Sequence, residues 1–126
     1  MLNFDSLALI PQLLANLTQA GHHHPTPIQV AAIPLLLEGK DLLGIAQTGT
    51  GKTGAFSLPM VQHLVNTLIE SQIGSPRALI LVPTRELCMQ ISVSIKAYSH
   101  GLNLGVTAIY GGVDQGEQVQ ALKAGS

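Results

Sequence analysis

Charge is scarce in this chain. Asp, Glu, Lys and Arg make up 10% of its 126 residues, against roughly 25% in a typical soluble domain. Little of it is built as solvated surface, so either much of it is interior or it belongs to something larger. A basic excess is also lacking, with a formal net charge of -1 and a pI near 6.5. That excludes a broad positive field, and any nucleic-acid contact has to come from a few placed groups. Cys88 is the one cysteine, which excludes an internal disulfide and suits a reducing compartment. No apolar run approaches the ~20 residues of a membrane span, and Met1-Leu2-Asn3-Phe4-Asp5 lacks the basic start of a signal peptide. These absences predict a soluble cytoplasmic protein with no membrane partner. What is present is an apolar fraction of 46%, ample for the core of one domain.

The most informative stretch is Ala46-Gln47-Thr48-Gly49-Thr50-Gly51-Lys52-Thr53. Leu42-Leu43-Gly44-Ile45 before it reads as a buried strand, and Gly54-Ala55-Phe56-Ser57-Leu58 after it opens a helical pattern. Strand, glycine-bearing loop and helix beginning with Lys-Thr is the layout of a phosphate-binding loop. Gly49 and Gly51 reach dihedrals closed to residues with side chains, so the backbone can wrap an anion with its amides turned inward. The first helical amides add donors and the positive end of the helix dipole. Lys52 is placed to set a charge between β- and γ-phosphates, and the Thr53 hydroxyl to ligate Mg²⁺. The strict pattern has Gly where this chain has Ala46. The competing interpretation, a Gly/Thr-rich turn with an incidental lysine, fits the flanking strand and helix poorly.

The remaining chain alternates helices and strands. Leu7, Leu9, Ile10, Leu13, Leu14 and Leu17 recur at helical spacing, with Pro11 at the first turn and Gly21 as the stop. Thr26-Pro27 starts a second helix with Ile28, Ala31, Ala32, Leu35 and Leu36 on one face, ended by Gly39. A third runs from Lys52 to about Ile69 with Phe56, Met60, Leu64 and Leu68 on one side. Pro34 and Pro59 are expected to kink the helices that contain them. Ser71 to Pro76 reads as a loop, Glu86 to Ser99 as a helix, and Glu117 to Lys123 as the start of another. Ala78-Leu79-Ile80-Leu81-Val82 is an apolar run of the kind buried on both faces of a parallel sheet, and Leu104 to Ile109 is a third strand. The expected fold is α/β, a parallel sheet with flanking helices and right-handed crossovers. His22-His23-His24-Pro25 reads as a connector, since consecutive side chains diverge and no Cys or carboxylate cluster completes a metal site. Cys88 reads as a small helical hydrophobe.

Four stretches stand in one order: Pro25-Thr26-Pro27-Ile28-Gln29, the phosphate loop, Pro83-Thr84-Arg85-Glu86-Leu87 and Gly111-Gly112. In this order they resemble the Q motif, motif I, motif Ia and GG motif of the DEAD-box ATP-dependent RNA helicases. The resemblance covers the chain from Phe4 to Gly125. It implies a partial RecA-like P-loop NTPase domain, ATP or ADP with Mg²⁺ as cofactors, and RNA as partner.

The resemblance also implies residue roles. Gln29, whose amide can donate to and accept from the N6/N7 edge of adenine, is the base-reading residue. Guanine there would leave one polar group bare, a mismatch worth ~1–3 kcal/mol. Taken alone, Gln29 would be a solvated helix residue. Phe4, seventeen residues before Gly21, matches the family's isolated aromatic that stacks on adenine, against a reading as a core anchor. His22 stands where the family has Phe or Tyr, and its imidazole is the smaller ring. Thr26, Gln47, Thr48, Gly49, Thr50, Gly51, Lys52 and Thr53 complete the nucleotide site, with Lys52 and Thr53 as catalytic residues and Thr53 holding the metal through the nucleotide. Pro83, Thr84, Arg85, Gly111 and Gly112 are implied RNA-backbone contacts, which position RNA without reading its sequence. A structural ion pair with Glu86 is the alternative for Arg85.

Hydrolysis also needs a carboxylate for Mg²⁺ and water, and a cation on the departing charge. The family's Asp-Glu-Ala-Asp box, Ser-Ala-Thr motif and second-domain arginines are absent between residues 1 and 126. The chain is therefore expected to be the N-terminal portion of a RecA-like ATP-binding domain, truncated before the DEAD motif. It should bind adenine nucleotide without efficient hydrolysis and tend to self-associate. The alternatives are a DNA-acting helicase or other P-loop ATPase, or a non-catalytic nucleotide- or protein-binding module.

Overall fold

The computed structural model describes residues 2–67 and 75–125. Proline and small polar side chains set the helix starts. A 3-10 helix at Phe4–Leu7 leads into α1, Pro11–Gln19, which begins with its proline. Thr26 stands in extended backbone before α2, Pro27–Leu37, again with proline first. Gly51 precedes α3, Lys52–Asn66. Thr84 Oγ1 accepts from Leu87 N at 3.2 Å and caps α4, Arg85–Tyr98. Asp114 Oδ1 accepts from Gly116 N at 3.0 Å at the start of α5, Gln115–Ala124. Both Pro34 and Pro59 lie inside continuous helices. The expected continuation of α3 through Leu68 and Ile69, and most of the loop expected after it, lie outside the described residues. Arg77 donates to the carbonyls of Leu64 at 3.0 Å and Thr67 at 2.8 Å, satisfying the acceptors that the end of α3 leaves open.

The core gathers Phe4, Leu7 and Leu9 with Leu13 and Leu17 of α1, Ile33 of α2, Leu58 and Val61 of α3, and Ile91, Ile95 and Tyr98 of α4. α3 is central, packing against both α2 and α4. Its buried face is Ala55, Leu58, Val61 and Gln62, not the expected Phe56–Met60–Leu64 side, which is half-buried. In α2 the buried residues are Gln29, Ala32 and Ile33, one position round from the expected stripe. Both helices carry apolar residues on more than one side, so periodicity left the choice of face to packing. Polar side chains brace the core from within. Gln62 accepts from Ile10 N at 2.8 Å and donates to Ala8 O at 3.0 Å, clamping the turn after the 3-10 helix. Burial pushes the Tyr98 hydroxyl pKa up by desolvation.

The expected parallel sheet is not formed among the described residues: every regular element there is a helix. Leu42–Ile45, Ala78–Val82 and Leu104–Ile109 carry no strand, because a strand needs a partner ladder and no backbone hydrogen bond joins these segments. Their burial is one-sided instead of two-sided. Ile80, Val82, Leu104 and Val106 pack on the core, while Leu43, Ile45, Leu79 and Leu81 are between 81% and 87% exposed. A groove of about 690 Å³ runs beside Leu79–Leu81, walled by Phe56, Met60 and Leu36. No helix of the described residues is long and apolar enough to cross a membrane.

Asn16, 3% exposed, donates through Nδ2 to the carbonyls of Tyr98 at 2.6 Å and His100 at 2.9 Å, locking α1 to the end of α4. Asn16→Ala leaves those carbonyls without their donor and is expected to destabilise the chain by about 1–3 kcal/mol. Urea denaturation checks this; an unchanged midpoint would show that the lock contributes nothing.

Candidate nucleotide-binding site

The site forms where α2 and α3 begin side by side. Gln29 sits in the first turn of α2 and is 7% exposed. Its Oε1 accepts from Thr26 N at 3.0 Å, and its Nε2 donates to Gly51 O at 3.1 Å. One amide thus closes the helix start and holds the loop that opens α3. The approach is close: a Cβ on Gly51 or Gly54 would stand 2.7 Å from Gln29 Nε2, and one on Gly51 equally close to Thr26 Oγ1. Glycine is required at Gly51 on a second count, its φ of 89°. Gln29 keeps one hydrogen and one lone pair uncommitted. Thr26 Oγ1 is a buried atom with no hydrogen-bond partner among the described residues.

The loop itself is open and exposed at Gln47, Thr48 and Gly49. Gly49 has a φ of 81°, and Thr50 Oγ1 donates to Gln47 O at 2.5 Å, tightening the turn. From Gln47 to Gly54 no backbone amide donates to an acceptor among the described residues. A run of free N–H groups thus ends at the positive pole of α3. Lys52 Nζ donates to Ala46 O at 2.6 Å, so the ammonium lies across the mouth of the loop. Ser57 donates to Thr53 O one turn on and fixes the first turn. This donor set fits a polyphosphate: amides on one wall, a single cation, and the Thr53 hydroxyl beside it.

The upstream residues divide. Phe4 is 5% exposed and sits in the core, while also lining, with His22, a cleft of about 70 Å³. His22 turns its ring edge-on to Tyr98, 6.0 Å between centroids. The three histidines are exposed, and no group of three metal-ligating side chains occurs among the described residues.

The second cluster lies at the start of α4. Pro83, Thr84, Arg85, Gly111 and Gly112 are all exposed. The Arg85 guanidinium carbon stands 4.7 Å from the ring centroid of Tyr110, which brings the two stretches together. The alternative pairing with Glu86 is not made: the ion pair among the described residues joins Lys40 and Glu38 at 2.7 Å. Sequence reasoning missed Tyr110, Gly54 and the Ala46 carbonyl. The spacing of Gly54 three residues after Gly51, and an aromatic directly before a glycine pair, were the available signals.

The DEAD/DEAH box helicase family model matches residues 26–126. The ATP-dependent RNA helicase dbp10 of Schizosaccharomyces pombe is 48% identical over 95% of this chain. The probable ATP-dependent RNA helicase DDX46 of Homo sapiens is 44% identical over 91%. The chain spans only 14% and 11% of those relatives' lengths. Among solved structures, the RNA helicase Prp28 from Chaetomium thermophilum bound to ADP superposes with a TM-score of 0.87 at 41% identity, covering 98% of this chain and 30% of that one. A DEAD box protein from Methanococcus jannaschii gives 0.83 at 36% identity, covering 98% and 32%. With the family model spanning most of its length and the same fold in solved relatives, this chain belongs to the DEAD/DEAH box helicase family.

Proposed function

We propose that this chain is the ATP-binding segment of an ATP-dependent RNA helicase: the N-terminal portion of a RecA-like domain whose parallel sheet includes the three apolar segments. The observation that carries the reading is the run of free amides from Gln47 to Gly54 with Lys52 at its mouth. Similarity to helicases, one of them solved with ADP, supports it. Bound ATP with Mg²⁺ supplies the phosphoanhydride whose cleavage drives RNA remodelling in the whole protein. The residues of this chain hold and orient it. Loop amides donate to phosphate oxygens, Lys52 exchanges the Ala46 carbonyl for phosphate, and the Thr53 hydroxyl serves the metal. Gln29 offers its remaining hydrogen and lone pair to the adenine edge, beside Thr26, with Phe4 and His22 on the ring side. Pro83, Thr84, Arg85, Gly111 and Gly112 meet the RNA backbone. The cytoplasm, a reducing compartment that suits the single Cys88, is the proposed location.

Lys52→Ala removes charge-assisted hydrogen bonds worth ~1.5–3 kcal/mol, so ATP affinity is expected to fall roughly ten- to hundred-fold. Gln29→Ala is expected to abolish the preference for ATP over GTP, a ratio that general loosening of the loop leaves alone. Calorimetric titration with both nucleotides reads each effect, and undiminished affinity together with an undiminished ratio rejects the nucleotide site. Phosphate release by the chain alone should be negligible with or without RNA, since it has no Asp-Glu-Ala-Asp box. RNA-stimulated turnover would mean that this chain supplies the metal carboxylate. The uncovered Leu43, Ile45, Leu79 and Leu81 favour self-association. Sedimentation velocity should show a rising average mass with concentration, and a constant monomer mass would contradict it.

A further inference from the structure

Arg85 is exposed, and neither a carboxylate at ion-pair distance nor a hydrogen-bond acceptor engages it among the described residues. What holds its guanidinium is the face of Tyr110, 4.7 Å from the ring centroid. Tyr110 is half-buried and its backbone is anchored, Gln118 Nε2 donating to Tyr110 O at 3.1 Å. The neighbouring Ile109 carbonyl lies 3.9 Å from Cys88 Sγ on α4. The manner of holding matters. An ion pair would consume the edge N–H donors, whereas a ring engages only the flat face and leaves all five donors free in the plane. A free guanidinium edge, kept from sampling many rotamers, is suited to bidentate binding of one phosphate.

We propose that Tyr110 is a positioning residue for RNA-backbone binding: its ring fixes the Arg85 guanidinium between the start of α4 and the Gly111–Gly112 turn, edge outward, toward an RNA phosphate. The inference rests on the reading that Arg85 meets RNA. Tyr110 does not itself touch RNA in this arrangement.

The test titrates a fluorescent single-stranded oligouridylate into the full chain at several salt concentrations. Tyr110→Leu is expected to weaken binding about two- to five-fold, the range of an exposed cation–π contact, and to flatten the salt dependence as Arg85→Ala does. Tyr110→Phe keeps the face and should bind as wild type, and Tyr110→Leu should cost nothing further in an Arg85→Ala background. Equal losses from Tyr110→Leu with and without Arg85, or Tyr110→Phe losing as much as Tyr110→Leu, overturn the proposal. A readout independent of RNA is the Arg85 Nε–H resonance, shifted upfield by the ring in wild type and Tyr110→Phe and relaxed in Tyr110→Leu. Tyr110→Met replaces Tyr110→Leu if the latter does not fold, and an unshifted wild-type resonance overturns the stack itself. If Arg85→Ala leaves RNA affinity unchanged while the resonance is shifted, the RNA reading fails and the positioning role falls with it. If Arg85→Ala weakens binding but Tyr110→Leu does not, the positioning role alone fails.

Discussion

One side-chain amide joins two helix beginnings here, and the candidate site depends on that junction. Gln29 accepts from the backbone of Thr26 and donates to the carbonyl of Gly51. The amide is buried, so each bond is made where an unpaired polar group would be costly. Glycine at positions 51 and 54 leaves room for the Gln29 amide as it stands, since a Cβ at either would come within 2.7 Å of its Nε2. The loop that opens α3 therefore inherits its position from α2, and any group that engages the remaining valences of Gln29 is coupled to the same loop.

The loop's own state follows from that position. Among the described residues its amides have no internal partners, and its lysine donates to the carbonyl of Ala46. A cation held by a neutral carbonyl gives it up more readily than one held by a carboxylate, because the lost bond is weaker. The Lys52 contact is thus one that an anion would displace at low cost. The Arg85 guanidinium shows the same economy, resting on a ring rather than on an acid. The two clusters lie at the starts of helices that pack on each other, α3 and α4.

The apolar segments contrast with this order. Ile80 and Val82 pack against the helices while Leu79 and Leu81 face outward, so alternation survives although no ladder forms among the described residues. A strand also depends on ladder neighbours, which the described residues do not supply. A hydrophobic run announces that it will be buried, not by what.

Residues close in sequence settled much of this protein by themselves. Thr26-Pro27, Pro11, Thr84 and the glycines at 49 and 51 act through backbone dihedrals and hydrogen bonds within a turn or so. The helix starts and the glycine-bearing turn before α3 were legible for that reason. Tertiary structure alone decided that Gln29 is buried, that α3 turns Leu58 and Val61 inward in place of Phe56 and Met60, and that Tyr110 lies under Arg85. Each of these is a choice among faces or partners that local rules leave equal, and it is made only when distant parts of the chain return to compete for the same space.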